Sequence, residues 1–298
     1  MRRTFYHVYS GLATLAIVTA LTSSACGSRS HAADAPALQR PPVVNTTPPI
    51  ALDTVKPLYQ VGEQITWEVS LQGIEGGRAR MAIGQTAVVD GQSVLALHAD
   101  AESSGLLAVV KTVHDEVTTW VDASTGLPVR TVGDSNTSGK ETHADVRFDH
   151  AAHKAQIAYQ VSAGPTQTTG RRLPEGGTYD PIGIILVLRG WAAPDGGRAI
   201  FHTLGGRTVW RTELTVEGRE IRETKLGKLP CIRMSGTSRR MSASLVVDQK
   251  KPPREFTVWL TDDARRVPLE IIAKTELGDV VVKLTSYDAP APAATALR

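Results

Sequence analysis

Apolar and polar side chains alternate in short runs over most of the chain between residues 57 and 288. From Glu63 to Leu71, Ile65, Trp67, Val69 and Leu71 fall on one face, and Gln64, Thr66, Glu68 and Ser70 on the other. That period of two marks a strand with one face buried. Similar runs cover Arg78 to Ile83, Val94 to Ala99, Glu116 to Val121, Val129 to Val132, Ala144 to Phe148 and Ala155 to Val161. A second set covers Trp210 to Glu217, Glu220 to Lys225, Cys231 to Thr237, Ser242 to Val247, Glu255 to Thr261, Pro268 to Thr275 and Val280 to Tyr287. Turn residues punctuate them at Gly73 to Gly77, at the Asp90-Gly91 hairpin signal and at Glu217-Gly218. Parallel strands would need a crossover helix between most pairs, and the spacing leaves no room for one. The pattern therefore predicts a mainly β fold of strongly curved antiparallel sheet in two lobes, about 57–162 and 196–288.

Two segments break the alternation. Tyr179 to Arg189 is apolar nearly all round, with Asp180 suited to cap a helix, Pro181 to its first position and Gly190 to its end. A buried central helix near 181–189 is expected to join the lobes. Ser104 to Val110 is a second, shorter helix candidate whose β-branched end also suits a strand.

The ends read differently from the body. Arg2 and Arg3 precede the apolar run Gly11 to Thr22 and then small residues, the order of an export signal over 1–25. A membrane-spanning helix needs about 20 apolar residues, so this run is too short to serve as one. Ser23-Ser24-Ala25-Cys26-Gly27 resembles the lipobox of bacterial lipoproteins, which implies that Cys26 is lipidated and becomes the new N-terminus. Ser23 stands where that family usually has an apolar residue. The alternative is ordinary secretion with cleavage near Ala33 to Ala35. The stretch 26–56 has no periodicity and carries Pro41-Pro42 and Pro48-Pro49, as a lipid-anchored linker would. About 30 extended residues at about 3.1 Å each reach on the order of 90 Å. Residues 289–298 read as a flexible tail.

Charge and chemistry narrow the function. Without Arg2 and Arg3 the chain keeps 31 basic residues against 30 acidic ones, so no nucleic-acid partner is implied. With Cys26 acylated, Cys231 is the remaining thiol, and its apolar context marks a small buried residue rather than a nucleophile. No Gly-x-Ser-x-Gly elbow occurs. Gly133 to Lys140 misses the phosphate-loop spacing by one residue and has Glu141 in place of the hydroxyl, so it reads as a loop. His150 and His153 have no companion ligands at metal-binding spacing, and neither a metal nor a cofactor is expected. Asp100, Glu102, Asp262 and Asp263 are paired carboxylates placed for solvation or turn capping.

Trp120 to Arg130 and Trp259 to Glu270 share one plan, a strand ending in Trp, a polar turn, and a second strand opened by Pro128 or Pro268. Pro suits that first strand position because no ladder donor is needed there. Trp120 shares its face with Thr118 and Asp122, and Trp259 with Thr257 and Thr261. An aromatic ring among polar neighbours can line a groove, which makes Trp120, Trp259 and Tyr179 the candidate ligand-lining residues.

Gly62-Glu63, Gly73, Gly76-Gly77, Ala79, Tyr179-Asp180-Pro181, Leu188-Arg189 and the late run Trp259 to Pro268 together resemble a bacterial exported family, domain of unknown function 3108. The Trp hairpin is similar, more weakly, to those of periplasmic lipoprotein carriers, whose curved sheet wraps lipid tails. Neither resemblance supplies catalytic residues. The expectation is a non-enzymatic envelope lipoprotein that binds an apolar or amphipathic ligand, or an envelope partner. A structural or interaction module without a ligand cavity is the alternative, and an envelope hydrolase a further one. By resemblance the address is the outer membrane, facing the periplasm. A soluble periplasmic or secreted form is the alternative there.

Overall fold

The computed structural model describes residues 48–290 apart from 90 and 276–277. The run Gly11 to Thr22, Cys26, most of the linker and the end of the tail lie outside the described residues. β1 (Ile50–Ala51) lies within the stretch read as linker and is followed by the buried Leu52, and the first lobe holds β2 (Gln64–Leu71), β3 (Ile74–Val89), β4 (Gln92–Ser103), helix α1 (Gly105–Val110), β5 (Val113–Asp122), β6 (Pro128–Thr137), β7 (Lys140–Asp149), β8 (Lys154–Val161) and β9 (Gln167–Arg172). The short strand β10 (Thr178–Tyr179) leads into helix α2 (Gly183–Gly190). The second lobe holds β11 (Arg198–Gly205), β12 (Thr208–Thr224), β13 (Gly227–Arg240), β14 (Arg254–Thr261), β15 (Pro268–Thr275) and β16 (Gly278–Asp288).

Among the described residues these strands form a single strongly curved sheet. Its path runs β11 to β16, crosses from β16 to β2, and continues to β9. Successive strands pair antiparallel, while β1 and β10 pair parallel to β11 along its outer edge. The β16–β2 ladder, with Val282 opposite Val69, joins the last strand of one lobe to the first long strand of the other. The main core fills the concave side. Ile65, Trp67, Met81 and Leu97 from one lobe and Met234, Leu260 and Val282 from the other pack around Ile184 to Leu188 of α2.

The sheet does not close by hydrogen bonds. Ala199 and Phe201 of β11 face the main core, as do Leu214 and Val216 of β12, whereas the paired Leu204 and Val209 lie on the opposite face. Those two are buried in a second cluster with Ala144, Val146, Ile157 and Leu173. The concave side of β7 and β8 therefore covers the outer side of the β11–β12 hairpin, and the two ends of the sheet overlap through side chains.

Several local expectations change. Glu217-Gly218 is a bulge inside the continuous strand β12, where the ladder slips between Val216 and Gly218. Gly218, at φ 139°, adopts a backbone conformation that a side chain would resist. Beyond the bulge, β12 and β13 form an arm over the outside of the sheet. Ser242 to Val247 is no strand. Its one ladder contact is the bridge from Met241 to Val247, and Leu245 turns the chain at φ 61°. β3 already begins at Ile74, so the turn after β2 is shorter than Gly73 to Gly77. Gly133 to Lys140 lies mostly within β6 and β7, whose turn is Ser138-Gly139. The strands β9 and β11, which carry little alternation, go unannounced by the sequence pattern.

Candidate functional site

Helix α2 fills the concavity, and each of its ends is held by a different kind of contact. At the N-terminal end the Asp180 carboxylate accepts hydrogen bonds from the backbone N–H groups of Ile182 and Gly183, both at 3.0 Å. The Thr119 hydroxyl donates to it at 2.9 Å and lies 3.1 Å from the Thr131 hydroxyl. Burial raises the Asp180 pKa against the pull of these donors. At the other end Arg189 is buried and donates two hydrogen bonds to Glu63, at 3.0 and 2.6 Å, and one to the carbonyl of Arg265 at 3.0 Å. The backbone N–H of Leu58 donates to the carbonyl of Leu186 at 2.8 Å. An added Cβ at Gly190 would collide with the carbonyl of Lys56, so glycine lets the incoming chain cross the helix. An open groove of about 530 Å³ lies there, lined by polar groups of Lys56, Arg189, Asp262, Asp263 and Arg266.

A mouth of the sheet's interior lies under α1. Leu107 and the concave-side residues Val69, Gly77, Ala101, Val113 and Val280 line an apolar pocket of about 60 Å³. Gly76 gives α1 its seat, since an added Cβ would stand 2.7 Å from the Leu107 Cβ. On the outer side of α1, Leu106 is 70% exposed and Val109 84%. Deeper inside, Asp115 shares the concave face with Ala101 and Ser135. Burial raises its pKa to about 6, opposed by a hydrogen bond from Ser135 and the charges of His114 and Lys111. Its Oδ1 is buried without a hydrogen-bond partner. Burial lowers the pKa of Lys111, which follows α1 and lines the pocket.

The structure places the three candidate aromatic residues apart from this mouth and from one another. Trp259 lies on the outer face but is only 5% exposed. The β12–β13 arm covers it, with Arg222 4.1 Å above its ring and Glu220 accepting its indole N–H at 2.7 Å. Trp120 is half-buried on the outer face, its ring 5.6 Å from the Arg130 guanidinium. Tyr179 is fully buried, with a hydroxyl that has no hydrogen-bond partner. Burial and the nearby Asp53 charge raise its pKa. Cys231 is buried, and burial first, then the Glu220 charge, push its thiol up to about 11, the wrong direction for a nucleophile. His150 Nε2 lies 2.9 Å from the Pro128 carbonyl. Among the described residues no cluster of three or more His, Cys, Asp and Glu could hold a metal ion. Sequence reasoning missed Asp115 and the exposed face of α1. The apolar run Leu106 to Val109 directly after Ser104-Gly105 was the available signal.

The model of the family described as protein of unknown function (DUF3108) matches residues 64–285. The chain belongs to the DUF3108 family. Of the residues that carried the resemblance, Gly76 and Gly77 lie under α1, and several others gather at the two ends of α2. Asp180 caps one end, and Glu63, Arg189 and the turn containing Arg265 hold the other. Trp67 adds a hydrogen bond from its indole N–H to the carbonyl of Pro268 at 2.9 Å. This DUF3108 chain shares its fold with a β-barrel-like protein of the unknown-function family DUF1849 from Brucella abortus. The identity is 14%, the TM-score 0.51, and the match covers 78% of this chain and 98% of that one. A Bacteroides fragilis protein with a YmcC-like fold aligns at 7% identity and TM-score 0.31, over 78% of this chain and 99% of that one. No curated protein matches the chain.

Proposed function

We propose that this DUF3108 chain is a non-enzymatic protein of the bacterial envelope, tethered through a lipid on Cys26 and facing the periplasm from the outer membrane. It takes the apolar part of an amphipathic ligand at the mouth under α1. The observation that carries this reading is a six-residue helix with two exposed aliphatic side chains lying over an apolar pocket, in a shell whose interior is otherwise occupied by α2. A pocket of about 60 Å³ is well below the roughly 300–1,000 Å³ of small-molecule sites. A chain end fits as the mouth stands, and anything longer requires α1 to lift. The helix is suited to that, since it has no side-chain cap and Gly105 opens it at φ 55°. Each apolar Å² covered would contribute about 25 cal/mol, with Lys111 at the rim for the polar head.

Uptake of a fluorescent fatty acid by the purified full chain tests the reading. Val113→Trp, which places a ring in the pocket, is expected to weaken uptake by about tenfold or more while circular dichroism stays unchanged. The exposed face of α1 favours a second reading, in which Leu106 and Val109 dock a protein partner. No uptake by the parent chain, together with one dominant protein adduct on crosslinking in intact cells, would replace the first reading with the second.

A further inference from the structure

The two edges of the sheet are finished differently. At one, the short strands β1 and β10 pair along β11. At the other, β9 pairs with β8 alone, and among the described residues no other element runs alongside it. Its register is unbroken from Gln167 opposite Tyr159 to Arg172 opposite Lys154, and it contains no proline. It therefore lacks the bulge or proline that blunts many edge strands. Just past its end, the backbone N–H of Leu173 donates to the carbonyl of His153 at 2.8 Å. Because the backbone groups of an antiparallel strand alternate in direction, those of Thr168, Gly170 and Arg172 point away from β8. All three residues are exposed.

Gly170 stands in the middle of this row. Its φ is not positive, and an added Cβ would stand in open space, so no contact or turn within the chain calls for a glycine there. Glycine inside a strand often marks a place where another backbone approaches closely. The charge along this edge has one sign. No acidic residue occurs between Asp149 and Glu175, and among the described residues neither Arg171 nor Arg172 has a carboxylate partner. Such charges repel a like strand and attract one of opposite sign. We propose that β9 is a docking edge on which a partner protein lays an extended acidic segment as an added strand. Main-chain hydrogen bonds to Thr168, Gly170 and Arg172 hold that segment, and the arginines select its carboxylates. β9 takes no part in the mouth under α1, and its use is independent of that reading.

The test titrates the purified full chain into a fluorescent peptide of about ten residues alternating Glu and Val, followed by anisotropy. A peptide of alternating Lys and Val is the control. The acidic peptide is expected to bind, the basic one not to, and amide exchange at Thr168, Gly170 and Arg172 is expected to slow in the complex. Gly170→Pro removes an outward donor while sparing every bond to β8, and is expected to weaken binding by about tenfold or more. Arg171→Gln with Arg172→Gln is expected to weaken it several-fold. If Gly170→Pro fails to fold, the acidic peptide N-methylated throughout is offered to the unchanged chain and is expected not to bind. No binding of the acidic peptide, equal binding of the basic one, or full binding by Gly170→Pro or by the N-methylated peptide overturns the proposal. Protection of the β9 amides that rises with protein concentration in the absence of peptide overturns it as well, and makes a second copy of the chain the occupant.

Discussion

In the β5–β6 hairpin Trp120 stands opposite Arg130, and the ladder slips by one residue before Val121 meets Pro128. In the β14–β15 hairpin Trp259 stands opposite Glu270, and the ladder slips at the same place before Leu260 meets Pro268. An aspartate organises each turn. Asp122 accepts from the backbone N–H groups of Ser124 and Thr125, and Asp263 from those of Arg265 and Arg266. The backbone device is the same, yet the surroundings differ. One hairpin serves the N-terminal end of α2, where the Gly126 carbonyl lies against Gly183 and Thr119, itself bonded to Thr131, meets Asp180. The other serves the C-terminal end, where the Arg265 carbonyl receives Arg189. An acid at the first end and a base at the last also suit the helix dipole. The difference lies in how charge is balanced. Asp180 rests on neutral donors, each worth about 1 kcal/mol, whereas Arg189 and Glu63 neutralise one another inside the core.

That asymmetry sets the size of the effects expected from substitution. Arg189→Met leaves Glu63 as an uncompensated buried charge and is expected to cost about 3–5 kcal/mol in urea unfolding, with Glu63→Leu added in the same chain recovering most of it. An equal loss in single and double variants would show that the pair is dispensable and that packing dominates at this end.

Five residues before each tryptophan the copies diverge in charge, with Asp115 in one and Arg254 in the other. The carboxyl of Asp115 is raised to about 6 in the fold, against about 3.9 unfolded. The folded state therefore binds the extra proton between those values, and stability falls as pH rises from about 4 to about 6. Asp115→Asn is expected to flatten that slope and to stabilise the chain above pH 6 by on the order of 2 kcal/mol. A slope unchanged in the variant would assign it to another group.

Asp180→Ala removes a cap without stranding a charge and is expected to cost about 1–2 kcal/mol. A loss as large as that of Arg189→Met would erase the distinction between the two ends. The smallest contrast concerns the tryptophans themselves. Trp259→Phe loses the hydrogen bond to Glu220 under the covering arm, about 1 kcal/mol, while Trp120→Phe stays within about 0.5 kcal/mol. Acrylamide should quench the fluorescence of Trp120 and leave that of Trp259 largely untouched, and equal quenching would mean that the arm does not cover its ring.

Much of this was legible in the residues. Alternation located most strands, Asp180-Pro181 marked the start of α2, and the Trp-to-Pro spacing exposed two hairpins of one design, because each of these depends on neighbours within a few positions. The exceptions follow from contacts made at a distance. β9, with polar side chains on both faces, is an edge strand and shows no period. In β11, Ala199 and Phe201 face one core and Leu204 the other, so both faces are buried and alternation blurs. Glu217-Gly218 has turn composition, yet its partner strand continues opposite it, and pairing turned the glycine into a bulge. The exposed side of α1 and the buried Asp115 likewise join segments far apart in the chain.

The amino-acid sequence alone determined the strand periodicity, the repeated hairpin and the capped apolar helix, since hydrogen bonding, side-chain direction and turn geometry act over a handful of residues. Only the tertiary structure decided which tryptophan is covered, which charge is neutralised in the core and how the sheet ends overlap. Those outcomes depend on which distant surfaces exclude water from one another, and local pattern carries no record of that choice.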